Sequence, residues 1–194
     1  MPVAISLVLG LFSMGFQLLG SRLLSPWFGS SIEVWAFLIS TFLAAFSVGS
    51  LVGAWIVRWP EKQKLHGTAS ILGVGIAGFA FNAGAGRAFL SWIDLNIPQG
   101  PMALGLACGF LFFPPVCALA AVTPILIQRQ NDSGQMAGYA SGIIYAVGTV
   151  GNILGIMMTV FLLIPRWPVS GLMWFWTGGI ACLSPLIWNC LRAK

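Results

Sequence analysis

Residues 34–57 read VWAFLISTFLAAFSVGSLVGAWIV, a continuous stretch with no Asp, Glu, Lys or Arg. A helix needs about 20 mostly apolar residues to cross the hydrocarbon layer of a bilayer, and this stretch supplies them without interruption. Its only polar side chains are hydroxyls, which a helix can satisfy on its own backbone.

Five further runs of the same kind flank it, at 3–20, 67–89, 102–127, 137–164 and 169–190. Together the six take up most of the 194 residues and leave no room for a soluble domain. The longest polar gaps are 58–66 and 128–135. Composition agrees, with 58% hydrophobic and 7% charged residues, where soluble domains carry about 25% charged. A spanning β-barrel would show segments of about ten residues with alternating polarity, unlike these continuous Gly/Ala/Leu-rich runs. The expected fold is therefore all-α: one polytopic transmembrane domain, a bundle of six helices. The first run is expected to be a retained helix, because Met1-Pro2 offers none of the Lys or Arg that opens a secretory leader.

Basic residues set the expected topology. With six spans, one side receives Arg58, Lys62, Lys64, Arg129, Arg192 and Lys194, and the other receives Arg22, Arg87 and Arg166. The positive-inside rule then places both termini in the cytoplasm, for a chain expected in a bacterial inner membrane. The bases are dispersed and not interleaved with aromatics, so nucleic acid is not an expected partner. The nine tryptophans lie mostly near span ends, as interface anchors do.

Motifs for chemistry are missing. There is no Gly-rich dinucleotide fingerprint, no phosphate-binding loop and no Ser-His-Asp set. His66 is the sole histidine, and Cys108, Cys117, Cys182 and Cys190 form neither a C-x-x-C nor a Cys/His cluster. No cofactor and no enzymatic activity are expected.

Small residues recur at helix-packing spacing: Gly49 with Gly53, Gly105 with Gly109, and Gly151 with Gly155. Such pairs let helix backbones approach closely where lipid gives no hydrophobic drive, and all three are expected inside the bundle. Pro114-Pro115 and Pro124 interrupt the fourth run and would kink it. Val48–Gly53 (VGSLVG) reads like Val150–Gly155 (VGNILG), one in the second span and one in the fifth. Three helices per half would make the halves inverted, a 3+3 repeat of the kind many transporters use.

Ionisable groups near a membrane interior are suspects by default. Arg22, Glu33, Arg87, Asp94 and the mid-span Asn152 are the candidates for a ligand site or a latch. Arg22 is expected to pair with Glu33 or Asp94, and Asn152 shares a helix face with Tyr145. All four acids lie at span ends or in loops, which disfavours polycation transport and proton coupling, since both call for buried carboxylates or histidine. Arg58, Lys62, Lys64 and Arg129 form a candidate docking face.

Two stretches resemble the membrane region of the spermidine-synthase-like integral membrane proteins. The first runs from Gln17-Leu-Leu-Gly-Ser-Arg-Leu-Leu-Ser-Pro-Trp-Phe-Gly-Ser-Ser-Ile-Glu-Val-Trp35 to Gly53. The second begins at Thr123-Pro-Ile-Leu-Ile-Gln, continues through Gly138-Tyr-Ala-Ser-Gly-Ile-Ile-Tyr-Ala-Val-Gly-Thr-Val-Gly-Asn-Ile-Leu-Gly155, and ends at Leu163-Ile-Pro165. The chain departs from the family pattern at Gln17, where the family often has Glu. The resemblance implies a helical membrane region attached to an aminopropyltransferase-type domain; with no such domain within these residues, no catalytic residue carries over. The expectation that follows is a non-catalytic membrane module docking a separate cytoplasmic transferase-like partner. An accessory subunit of a larger membrane complex and a small-solute transporter are the alternatives, and the lipid bilayer surrounds the chain in each.

Overall fold

The computed structural model describes residues 1–192. These form seven α-helices and no strand: α1 (Pro2–Phe28), α2 (Ile32–Val57), α3 (Glu61–Gly84), α4 (Gly86–Asn96), α5 (Pro101–Asp132), α6 (Ala137–Met158) and α7 (Val169–Arg192). A π-turn, Thr159–Leu163, extends α6. Six helices, all but α4, are long and apolar enough to cross a membrane. The all-α, six-span expectation holds.

Several boundaries differ from the hydropathy reading, for local reasons. α1 continues past Gly20 to Phe28, because Ser21 and Arg22 end an apolar run without ending a helix. The helix stops at Gly29, whose φ of 72° suits a residue with no Cβ. α3 starts six residues before its expected span, at Glu61 behind Pro60, and breaks at Ala85 between two glycines. The remainder of that expected span becomes the short helix α4, which buries Leu90 and Ile93 and leaves Arg87 and Asp94 exposed. α5 runs on through the polar segment to Asp132, and the π-turn closes through a hydrogen bond from Ile164 N–H to Thr159 O at 2.9 Å.

α1 and α5 lie at the centre. α6 packs along α1 and α2 along α5, while α3 and α7 pack on each other and against α5 and α1 respectively. Glycines set the two long seams. A Cβ on Gly49 or Gly53 would run into the backbone oxygens of Cys117 and Ala121, and one on Gly151 or Gly155 would run into those of Leu7 and Leu11. The third expected packing pair behaves differently: Gly109 has open space at its Cβ position, and Gly105 meets only the ring of Phe37 at 3.2 Å. A G-x-x-x-G face packs only if a neighbouring backbone lies opposite it, and none does there.

Phe16, Phe42, Phe79 and Phe112, from α1, α2, α3 and α5, fill the core and are at most 1% exposed. Phe16 sits 4.4 Å from Phe79 and 5.6 Å from Phe112, centroid to centroid. The buried indole N–H of Trp176 donates to Phe12 O at 2.9 Å and ties α7 to α1. Its ring meets that of Phe12 edge-on at 5.5 Å.

The prolines inside helices each remove the hydrogen bond to the carbonyl four residues earlier. Two of those carbonyls are taken up by side chains: Leu111 O, freed by Pro115, accepts from Asn82 Nδ2 at 2.7 Å, and Ala181 O, freed by Pro185, accepts from Ser184 Oγ at 2.8 Å. Among the described residues no side chain donates to Ala120 O, the carbonyl that Pro124 frees.

Candidate functional site

The central helices and their seam partners enclose a cleft of about 240 Å³. α1 contributes Ser6, Leu9, Gly10 and Ser13, and α5 contributes Leu119, Ala120 and Thr123. α2 adds Phe46 and Ser50, and α6 adds Ile144, Tyr145, Gly148, Thr149 and Asn152. At 1.5 Å per residue Ser13 lies about 16 Å along the 27-residue α1, near the middle of that helix. The glycine seams explain why hydroxyls reach this depth. Ser6, Gly10 and Ser13 share one face of α1 at helical spacing, and Ser50 and Asn152 each follow directly on a seam glycine.

No charged side chain lines the cleft. Ser6 Oγ donates to Val3 O and Thr149 Oγ1 to Tyr145 O, both at 2.8 Å, so these hydroxyls serve their own helices. Ser13 differs. Its residue is 6% exposed and its hydroxyl has no hydrogen-bond partner. An unmet hydroxyl in a low-dielectric interior costs about 1–3 kcal/mol. Ser13 Oγ is thus an unpartnered hydroxyl in the cleft wall. Tyr145 is 57% exposed and stands at its edge.

The charged candidates lie elsewhere and do not converge. Arg22 is exposed beside a separate cavity of about 330 Å³ at the other end of α1, with Ser21, Ser25 and Ser30. Glu33 is exposed in the first turn of α2, and Asp94 accepts from Gln99. The expected pairing of Arg22 with Glu33 or Asp94 is therefore not made; among the described residues the one ion pair is Lys64–Glu61 at 3.1 Å. Exposed pairs gain only about 0–1 kcal/mol, which is too little to hold these side chains together. Of the ligand candidates, Asn152 alone lines the central cleft, together with Tyr145 from its helix face.

The docking-face residues divide. Arg129 Nε donates to Cys190 O at 3.1 Å and joins the end of α5 to α7. Lys64 is held by Glu61. Arg58 and Lys62 are exposed. Lys62 borders an open groove of about 680 Å³ with Trp55, Trp59 and His66, and His66 Nδ1 contacts Lys62 O at 2.7 Å.

The sequence reading passed over Ser6, Ser13, Ser50, Thr123 and Thr149, because isolated hydroxyls in apolar runs look like ordinary helix residues. For Ser6 and Ser13 the signal was position, since they share the face of α1 that carries Gly10, which packs against Gly148. Compared with known proteins, the chain matches no family model, no curated protein and no solved structure. The likeness to spermidine-synthase-like membrane regions therefore rests on the quoted residues alone.

Proposed function

We propose that this chain is a membrane carrier for a small polar solute, with the α1/α2/α5/α6 cleft as its binding site. The observation behind this reading is an uncharged cleft inside a bundle of membrane-spanning length, its largely apolar wall set with several hydroxyls and the Asn152 amide, and with the Ser13 hydroxyl unmatched. A purely structural bundle gains nothing from an unpaired hydroxyl at that depth, whereas a solute that supplies the missing acceptor does. The test is uptake into lipid vesicles containing the purified chain. A panel of small solutes should include at least one that enters well above the rate of protein-free vesicles and is slowed by Asn152→Leu. Entry of every solute at the protein-free rate would rule the carrier out.

A second reading, docking of a cytoplasmic partner, is favoured by the exposed Trp55/Trp59/Lys62/His66 groove. It lies at the α2–α3 turn, on the side where the positive-inside rule puts both termini. Lys62→Glu with Arg58→Glu should abolish co-purification of a stoichiometric soluble chain; Lys64 is the poorer probe, since Glu61 already holds it. A reporter fused at the C-terminus should be active only in its cytoplasmic form.

A further inference from the structure

The two glycine seams are related by a regular shift. On the central helices, the carbonyls that receive the glycines move from 7 to 117 and from 11 to 121, a shift of 110. On the flanking helices the glycines move from 49 to 151 and from 53 to 155, a shift of 102. α2 therefore lies along α5 as α6 lies along α1, and α3 sits against α5 as α7 sits against α1.

The same two shifts carry much of the cleft lining onto itself, though not Ser6, Ile144, Tyr145 or Thr149. Leu9 goes to Leu119, Ser13 to Thr123 and Ser50 to Asn152, and all six line it. The residues whose contacts fix the shifts lie outside the cleft lining, next to these six in sequence. Depth agrees as well: at 1.5 Å per residue Ser13 lies about 16 Å from the start of α1 and Thr123 about 14 Å from the end of α5, and those two helix ends lie on the same side of the bundle.

We infer that α1–α3 and α5–α7 are inverted copies of one three-helix unit, and that the cleft on their shared axis binds a small, uncharged, hydrogen-bonding solute gripped from both halves by Ser13 with Thr123 and by Ser50 with Asn152. This rests on the carrier reading and gives it a substrate class. Charge is excluded by the lining, because a lone ion would meet no countercharge at mid-membrane. Size is bounded by the 240 Å³, below the roughly 300–1,000 Å³ of drug-sized pockets. An inverted pair also has a second arrangement in which the halves exchange roles, and the cleft then opens to the opposite side.

The test uses the full chain with Cys182→Ala, which removes the exposed native thiol. Ser13→Cys and Thr123→Cys are each treated with an impermeant sulfonate thiol reagent in right-side-out and in inverted membrane vesicles, with the unsubstituted chain as background. Both positions should react from both sides. Reaction from one side only, or from neither, overturns the inverted-halves assignment whatever the transport result. In parallel, glycerol, urea and chloride entry is followed by light scattering in vesicles of the purified chain. Glycerol or urea should enter and chloride should not. Ser13→Ala and the near-isosteric Thr123→Val should each slow that entry about tenfold, the equivalent of one lost hydrogen bond. Chloride entry without glycerol or urea overturns the uncharged class. Two-sided thiol reaction with no entry of any probe overturns the carrier reading and leaves the paired halves standing.

Discussion

The amide nitrogen of Asn82 on α3 lies 2.7 Å from the carbonyl oxygen of Leu111 on α5, the acceptor that Pro115 strips of its helical donor. The same nitrogen also donates to Gly78 O at 2.8 Å. One side chain thus repairs a proline break and fixes the α3·α5 register, with Gly78 seated against the Pro115 ring. In a bilayer no water replaces such a donor.

Asn82→Leu should lower thermal stability in detergent by about 1–2 kcal/mol. Pro115→Ala restores the helical N–H, so the cost of Asn82→Leu should shrink in that background. A double-mutant cycle on melting temperature reads the coupling. Equal costs in both backgrounds would mean that the bond does not compensate for the proline.

Alanine scanning of the glycines should separate the two seams from the third motif. Gly151→Ala and Gly53→Ala place a methyl group against a backbone oxygen and should cost about 1–3 kcal/mol through forced separation of the helices. Gly109→Ala meets nothing and should be neutral, or stabilising by up to about 1 kcal/mol through helix propensity. Loss of the monodisperse peak on heating in mild detergent provides the measure.

Trp176→Phe removes the buried bond to Phe12 O and should cost about 1–2 kcal/mol. Trp174, two residues earlier in sequence but 55% exposed, should tolerate Phe with little change. Comparable losses for the two would argue that the α1·α7 tie is not set by the indole N–H.

The exposed arginines give the contrasting case. Arg22→Ala and Arg87→Ala make no ion pair among the described residues and lie outside the central cleft, so both should leave melting temperature and solute entry unchanged. Asn152→Leu should slow entry at unchanged stability. A defect in entry from Arg22→Ala would move the solute path to the cavity beside Ser25 and Ser30.

Lipid as solvent could be read directly from the sequence. A run such as 34–57 has no other stable environment, and the hydrocarbon thickness sets the length a span needs, so the number and order of the spans followed from hydropathy, while the short α4 did not. The seam glycines were legible as motifs, and Asn152 with Tyr145 as a polar face. What hydropathy does not encode is which backbone lies opposite which glycine. Gly49 and Gly109 carry the same motif spacing, yet only Gly49 meets a carbonyl. Helix ends also escaped it, because Ser21 and Arg22 change polarity without breaking hydrogen bonds, while Gly29 ends α1 by its backbone angle. The cleft was decided by tertiary structure alone: Ser13 and Thr123 stand 110 positions apart in sequence, and only the assembly of the α1·α6 and α2·α5 pairs, each held by close backbone contact along a glycine seam, brings both residues to one cleft.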